Sequence, residues 1–426
     1  MGLNDYKQRI ADRMLKRRLA GVGAVLIEGP KWCGKTTTAV QQAKTVLYMD
    51  DPSQIKQNIS MASINPSALL QGTTPVLIDE WQLAPKLWDA IRFEVDRKGQ
   101  PGMYILTGSA VPAKTEDINH SGTGRFAWLT MRPMTLYESG ESSGDVSIGS
   151  LFANSDQVLG RNSLTLEDVA YLICRGGWPY STMVNKDLSL DQAKYYYDGV
   201  VRSDISRVDQ VKRNLELVKR LMRSYARHQG TQATISTIAA DISVNEETAT
   251  DTKTVSSYIE ALKKIFVIED SAAWNPNLRS KSAIRTSDTR YFVDPSIAVA
   301  SLGLGPDDLL SDLKTMGLFF EALCIRDLRV FADALDGQVY HFRDRTGLEC
   351  DAVIHLRNGK YGLIEVKLGG DELIEEGAKT LKCLAQRIDT SRMPKPSFMM
   401  VITAVGKFAY RREDGVCIVP IGCLKD

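Results

Sequence analysis

Residues 29–36 constrain the fold of this chain more than any other segment. They read Gly-Pro-Lys-Trp-Cys-Gly-Lys-Thr and match the pattern G-x-x-x-x-G-K-[S/T] at every fixed position. An apolar run at 24–27 precedes them, and residues 37–43 have the composition of a helix. In such a strand–turn–helix, backbone N–H groups surround phosphate oxygens and the helix start adds partial positive charge. The pattern therefore predicts a phosphate-binding loop.

The loop and the residue after it are the expected nucleotide-binding residues. Lys35 should reach the β- and γ-phosphates, and the Thr36 hydroxyl should ligate Mg²⁺. The predicted cofactors are therefore ATP and Mg²⁺. The alternative is a glycine-rich turn that matches the pattern by chance. The full set is Gly29, Pro30, Lys31, Trp32, Cys33, Gly34, Lys35, Thr36 and Thr37.

Three further apolar segments, 46–50, 75–80 and 103–109, read as buried strands, with helical segments at 66–71 and 84–97 between them. Strands that alternate with helices predict an α/β fold with a parallel sheet. In such a sheet the ligand chemistry lies at the carboxyl ends of the strands.

Polar residues end two of these strands and are the expected catalytic groups beside Lys35. Asp79 is placed to hold Mg²⁺, directly or through water, and Glu80 to activate the attacking water. Thr107 and Ser109 would hydrogen-bond that water or the γ-phosphate. The alternative is an acid pair with only a structural role.

Composition limits the class of protein. The chain has 426 residues, enough for two or three domains, and a formal net charge of +1, so no strong overall field marks a nucleic-acid or membrane-surface protein. The seven Cys form no C-x-x-C pair, and with four His no zinc spacing occurs. We therefore expect reduced thiols in a cytoplasmic protein. No apolar run approaches ~18 residues, the length of a transmembrane helix, so we expect no membrane partner.

The order of these motifs resembles the AAA-type ATPases. It is more narrowly similar to a bacterial and archaeal group of uncharacterised ATP-binding proteins, on the segments 79–83, 131–139 and 175–179. The resemblance implies a P-loop ATPase domain, a helical region that contains a winged helix, and a small α/β restriction-endonuclease-like domain. We place these regions at 1–150, 151–310 (winged helix at about 213–295) and 311–426. Residues 139–162 have the composition of a linker.

Arg125 follows a Gly/Ser-rich loop and has two interpretations. In an AAA-type subunit it would contact the γ-phosphate, within its own chain or from a neighbour in a homo-oligomer. The alternative is an ion pair with a carboxylate at the edge of the sheet.

The winged-helix prediction rests on helices at 235–241 and 254–265, followed by a strand at 266–270. Positive charge where a wing would lie comes from Arg279, Lys281 and Arg285. The second helix would contact DNA, or the motif would serve only for packing or as an ATPase lid.

A second set of charged residues lies near the C-terminus: Glu321 on an apolar helix, Asp351 on one strand, and Glu365 and Lys367 on the next. The spacing D…E-x-K is that of restriction-endonuclease-like sites, in which carboxylates bind Mg²⁺ and the lysine polarises water or phosphate. The alternative is an inactive fold whose strand carries surface charges.

The hairpin between these strands tests the site. A two-residue turn at Asn358-Gly359 would pair Ala352 with Glu365 and turn Asp351 away. A three-residue loop at 357–359, with Gly359 left-handed, would instead place Asp351 opposite Glu365. A metal site therefore predicts the longer loop or a bulge.

The sequence thus predicts a Mg²⁺-dependent ATPase coupled to a nuclease-like C-terminal domain. The alternatives are a nucleotide-switched DNA-binding protein or nuclease, and a protein-docking adaptor whose C-terminal domain is inactive.

Overall fold

The computed structural model describes residues 6–109, 121–243, 251–276 and 287–426. The chain forms two compact units. Unit 1 consists of Met1–Arg132, Ser203–Arg213 and Glu260–Val267, and unit 2 of Pro133–Arg202, Asn214–Ile259 and Ile268–Asp426. Each unit combines segments that are distant in sequence, so the limits of the units differ from the domain boundaries proposed at residues 150 and 310.

The first part of unit 1 alternates strands and helices. Its helices are α1 Ile10–Leu19, α2 Lys35–Val40, α3 Ile55–Ile64, α4 Pro66–Leu69 and α5 Leu87–Lys98, and its strands are β1 Ala24–Glu28, β2 Thr45–Tyr48, β3 Val76–Asp79, β4 Tyr104–Gly108 and β5 Phe126–Thr130. A 3₁₀ turn, Trp81–Leu83, follows β3. The sequence did not predict α3 or β5.

The five strands form a parallel sheet in the order β2-β3-β4-β1-β5. Side chains on both faces are buried: Leu26 and Ile78 pack in one core cluster, and Val25 and Leu77 in another. Burial on both faces explains why these strands read as continuous apolar runs. The predicted parallel α/β sheet is confirmed, and its carboxyl ends lie along one edge.

The rest of the chain contains twelve more α-helices and nine more strands within the described residues. The helices are α6 Leu136–Ser139, α7 Ile148–Ala153, α8 Leu166–Arg175, α9 Lys186–Gly199, α10 Ile205–Arg207, α11 Leu215–Arg227, α12 Ile235–Ile242, α13 Thr252–Lys264, α14 Pro295–Leu302, α15 Pro306–Ser311, α16 Leu313–Ala334 and α17 Asp371–Arg387. The strands are β6 Val146–Ser147, β7 Gly160–Arg161, β8 Gly337–Arg343, β9 Glu349–Leu356, β10 Tyr361–Lys367, β11 Phe398–Thr403, β12 Phe408–Arg411, β13 Val416–Pro420 and β14 Leu424–Lys425.

Unit 2 contains a mixed seven-stranded sheet in the order β7-β12-β13-β11-β10-β9-β8. Helix α17 packs on it through Ala378, Leu381 and Leu384. The prediction of a linker at 139–162 was wrong, because this segment includes α7 and two short strands. Strand β7 pairs with β12 of this sheet, and β6 pairs with β14 in a separate two-stranded sheet, so pairing with two C-terminal strands orders a loop-like sequence.

The winged-helix prediction meets the structure only in part. Helices α12 and α13 lie where the two helices were predicted. The strand expected at 266–270 is instead a pair of isolated bridges, Ile268 to Phe292 and Ser271 to Thr289. The segment with Arg279, Lys281 and Arg285 lies outside the described residues, so the winged helix and DNA binding through it stay predictions.

Candidate functional site

The backbone of residues 29–36 adopts conformations that favour glycine. Gly29 has φ 145° and Gly34 has φ 98°, and Trp32 between them has φ 64°. A Cβ atom on Gly29 would lie 2.0 Å from the carbonyl oxygen of Met131, so only glycine fits there. The loop therefore turns sharply from β1 into α2, as a phosphate-binding loop requires.

Lys35 spans this loop. Its Nζ donates to the carbonyl oxygens of Gly29 at 2.9 Å and Pro30 at 2.7 Å, and the side chain is buried. The ammonium group is thus held across the loop by the backbone. Lys31 points elsewhere: its Nζ lies 2.6 Å from Oδ1 of Asp204, which also belongs to unit 1.

Asp79, the last residue of β3, contacts both the phosphate-binding loop and the end of β4. Its Oδ1 accepts hydrogen bonds from the hydroxyl of Thr36 at 2.8 Å and from the hydroxyl of Thr107. The sheet order explains this, because β4 lies between β1 and β3 and pairs Thr107 directly with Asp79. A hydroxyl and a carboxylate side by side are the oxygen donors that Mg²⁺ takes alongside phosphate and water. Thr36 and Asp79 therefore fit the predicted cation.

Glu80 leaves β3 in a left-handed conformation with φ 54°. Its carboxylate accepts a hydrogen bond from Nε2 of Gln82. Burial raises the pKa of Glu80, and the hydrogen bond from Gln82 partly opposes that shift. A raised pKa moves a carboxylate toward the range in which it exchanges protons near neutral pH. Ser109 follows β4 at the same edge and is buried.

Arg125 is the predicted residue that the structure does not bring to this edge. It directly precedes β5, whose first residue pairs with Ala24 at the start of β1. At roughly 3.3 Å per residue, the five-residue strand separates Arg125 from the carboxyl edge by about 16 Å, beyond the reach of its side chain. Its Nε lies 2.7 Å from Oδ1 of Asp96 instead. The expectation that Arg125 contacts the γ-phosphate of its own chain was therefore wrong.

Arg9 contacts the phosphate-binding loop, which the sequence did not reveal. Its guanidinium is buried and donates to the carbonyl oxygens of Cys33 at 2.7 Å and Arg132 at 2.8 Å. It thereby holds the phosphate-binding loop from the N-terminal side. The motif begins at residue 29, twenty residues after Arg9, and no spacing rule connects them.

The C-terminal hairpin has the register that the metal-site hypothesis required. Ile364 pairs with Ala352, and Leu356 donates its N–H to the carbonyl of Lys360 at 2.9 Å. The loop therefore has three residues, and Gly359 has φ 83°. The three-residue loop is confirmed, and the same register places Asp351 opposite Glu365.

The carboxylates of this C-terminal cluster are buried and engaged with other partners. Asp351 accepts the N–H of Val366 at 2.7 Å, Glu365 lies 3.0 Å from Nζ of Lys367, and Glu321 accepts the Tyr291 hydroxyl. Burial, and then the charge of Asp351, raise the pKa of Glu365 to about 8 and that of Glu321 well above its usual range.

The prediction of a metal site at these three carboxylates was wrong. Within the described ranges, no group of three or more His, Cys, Asp or Glu side chains could hold a metal ion. By that criterion Glu321, Asp351 and Glu365 are not arranged as a ligand set.

Comparison with known proteins matches three segments of the chain. Residues 22–139 match an AAA domain family. The N-terminal sheet and its loop therefore have a P-loop ATPase-like α/β fold, similar to that of AAA domains. Residues 166–308 and 316–424 match two domains of unknown function, DUF8612 and DUF4143. The endonuclease-like character of the last segment therefore stays a prediction.

Curated relatives are distant. An uncharacterized protein of Mycobacterium bovis and one of Mycobacterium tuberculosis are each 22% identical over 366 residues, which covers 85% of this chain and 74% of theirs. Among solved structures, a Walker-type ATPase of Pyrococcus abyssi is 15% identical with a TM-score of 0.43, covering 70% of this chain and 96% of its own. RuvB of Thermotoga maritima is 18% identical with a TM-score of 0.27, covering 64% and 90%.

Two further findings concern the whole described part of the chain. None of its helices is long and apolar enough to cross a membrane. All seven cysteines are free thiols.

Proposed function

We propose that this protein hydrolyses ATP with Mg²⁺ at the carboxyl edge of the unit 1 sheet. The observation that carries the proposal is the carboxylate of Asp79, which accepts hydrogen bonds from both Thr36 and Thr107. This contact joins the phosphate-binding loop to the ends of β3 and β4, where a γ-phosphate would lie.

Each residue then has a defined task. Lys35, held across the loop, neutralises charge on the β- and γ-phosphates, and Thr36 and Asp79 would hold Mg²⁺. Mg²⁺ supplies charge neutralisation on the phosphate oxygens when it is bound. Glu80 takes the proton of the water whose oxygen attacks the γ-phosphorus, as the bond to the β-phosphate oxygen breaks and ADP leaves.

Steady-state ATP hydrolysis of two variants tests the proposal. Glu80→Gln should lower kcat by at least about 100-fold, the range of a lost general base, and leave ATP binding intact. Lys35→Ala should weaken ATP binding as well as turnover. Lys44→Ala, an exposed lysine of the same unit, is the matched control. Turnover that is unchanged in both site variants would reject the assignment.

A second candidate function is phosphodiester hydrolysis at the C-terminal cluster. The observation that favours it is the hairpin register, which places Asp351 opposite Glu365 on the same face as Lys367. Within the described residues these carboxylates do not form a ligand set, so this candidate assigns no metal ion to them.

A cleavage assay on single- and double-stranded DNA and RNA, with and without Mg²⁺, tests this candidate. Cleavage by the wild-type protein should be lost in Asp351→Asn and Glu365→Gln. Glu349→Gln, at the exposed start of the strand that carries Asp351, should retain the cleavage activity. If the wild-type protein cleaves none of these substrates, the cluster is structural and this candidate fails.

A further inference from the structure

Gln82 lies in the 3₁₀ turn that follows β3, two residues after the proposed general base. Its Nε2 donates to Oε2 of Glu80. Glu80 has φ 54°, a left-handed conformation that is unfavourable for a non-glycine residue. The turn thus holds Glu80 in a fixed and unfavourable backbone conformation while Gln82 holds its carboxylate.

The end of β4 encloses the Gln82 amide from the other side. A Cβ atom on Gly108 would lie 2.8 Å from Oε1 of Gln82 and 3.1 Å from Nε1 of Trp81. Glycine at this position therefore lets the turn approach the strand end that carries Thr107. The amide lies between Glu80 and β4, at the edge where the attacking water is expected.

One atom of the amide has no partner. Among the described residues, Oε1 of Gln82 is buried and makes no hydrogen bond. A buried acceptor without a hydrogen bond is destabilising, so its retention calls for an explanation. A water molecule between Oε1 and the γ-phosphate would satisfy it.

Trp81 fixes the turn in place. Its ring is almost fully buried and lies 5.1 Å from that of Trp88, which stacks on Phe126 at 3.8 Å. This aromatic cluster anchors the residue between Glu80 and Gln82 and therefore the turn that carries both side chains.

We propose that Gln82 is a positioning residue for ATP hydrolysis: its N–H group orients the Glu80 carboxylate and its Oε1 accepts a hydrogen bond from the attacking water. The proposal rests on the ATPase function proposed above. Gln82 keeps its protons throughout, since the proton of the water passes to Glu80 and the electron pair of the broken P–O bond leaves with ADP.

Kinetics of Gln82→Met and Gln82→Asn test this role. Met keeps the volume without the hydrogen bonds, and Asn keeps the amide but shortens its reach. Both should lower kcat about 10–100-fold, as expected for hydrogen bonds to a charged group and a reacting water. KM for ATP and binding of a non-hydrolysable ATP analogue should change less than about threefold, which also shows that the variants are folded.

A double-mutant cycle separates positioning from a general loss of stability. In the Glu80→Gln background, Gln82→Met should cause almost no further loss, because the two residues act as a unit. Gln71→Met, a glutamine that donates to Ser67 on the surface of the same unit, is the matched control and should keep full turnover.

The outcomes distinguish the two proposals. If the wild-type protein does not hydrolyse ATP, the ATPase function itself fails. If it does, and Glu80→Gln is inactive, then a Gln82→Met variant with wild-type kcat overturns the role of Gln82 alone. Equal losses in kcat and analogue binding would also overturn it.

Discussion

At the scale of single residues, Asp209 and Arg213 form a two-contact ion pair in unit 1. Two nitrogens of the Arg213 guanidinium each lie 2.7 Å from a different carboxylate oxygen of Asp209, and Nη1 also donates to the carbonyl of Ile205. The Arg213 side chain is only 1% exposed, whereas that of Asp209 is 26% exposed. The pair therefore matters mainly because it compensates a buried cation.

Loss of this carboxylate should destabilise unit 1 in a pH-dependent way. The hydrogen bond from Arg213 lowers the pKa of Asp209 in the folded chain. The stability that it contributes is therefore present above the unfolded pKa of about 3.9 and is lost as the pH falls through the lower folded pKa. Asp209→Asn should lower the free energy of unfolding by about 2 kcal/mol at pH 7, and by less at pH 3.

Urea unfolding at the two pH values measures this difference. Asp191→Asn removes an exposed pair with Lys194 and should change stability by less than about 0.5 kcal/mol at either pH. A loss for Asp209→Asn that is equal at pH 7 and pH 3 would contradict the assignment of the effect to the ionised carboxylate.

At the scale of elements, the sequence predicted the strands whose side chains are buried on both faces of the sheet. Strands β1, β3 and β4 are central, so each reads as an apolar run. Strand β5 lies at the edge, and its Phe126 is buried while Trp128 is exposed, so it was missed. That omission also misplaced Arg125, because a parallel β5 puts its preceding residue at the amino edge of the sheet.

The residues of the candidate site also fall into two groups: those that the sequence predicted and those that only the structure shows. Lys35, Thr36 and Asp79 follow from local motifs whose spacing reflects phosphate and cation chemistry. The contact of Arg9 with Cys33 and the enclosure of Gln82 by Gly108 depend on tertiary packing. No local pattern in the sequence encodes such contacts, and only the structure shows them.

The confirmed hairpin loop carries a prediction of its own. Gly359 has φ 83°, and a Cβ atom added there would meet nothing within 4 Å, so Gly359→Ala should cost about 1 kcal/mol from backbone strain alone. Gly359→Asn should cost less, since Asn tolerates this conformation. Gly317→Ala, inside helix α16 and equally free of contacts, should instead stabilise the chain by up to about 1 kcal/mol.

Thermal or urea unfolding of the three variants checks the signs. The two alanine substitutions add the same group without a clash, and only the backbone conformation differs between them. Equal effects of Gly359→Ala and Gly317→Ala would show that the strain of the left-handed turn is not what determines the stability of the hairpin.

At the scale of the whole molecule, one buried network ties together segments that the sequence assigned to three regions. Arg326 on α16 donates to Asp294 and Asp327, at 2.9 Å each. Asp294 also accepts the N–H of Gly177 at 3.0 Å, and Asp327 accepts that of Leu136 at 2.9 Å. Residues near 136, 177, 294 and 326 therefore belong to one cooperative structure within unit 2.

Each charged group of this network depends on the others. Burial raises the pKa of Asp327 to about 6 although Arg326 lowers it, so both carboxylate and guanidinium depend on their partner at neutral pH. Removing one member leaves uncompensated charge in a low-dielectric interior, whereas replacing all members by neutral groups avoids that cost.

Arg326→Met should therefore lower the free energy of unfolding of unit 2 by about 3–5 kcal/mol at pH 7, because Asp294 and Asp327 stay buried without a cation. The loss should be smaller at pH 5, where Asp327 is protonated.

The triple variant Arg326→Met/Asp294→Asn/Asp327→Asn should recover much of the loss. Arg345→Met, which replaces an exposed arginine, should cost less than about 0.5 kcal/mol. Urea unfolding followed by circular dichroism measures all three. If Arg326→Met costs under about 1 kcal/mol, the network does not hold these segments together.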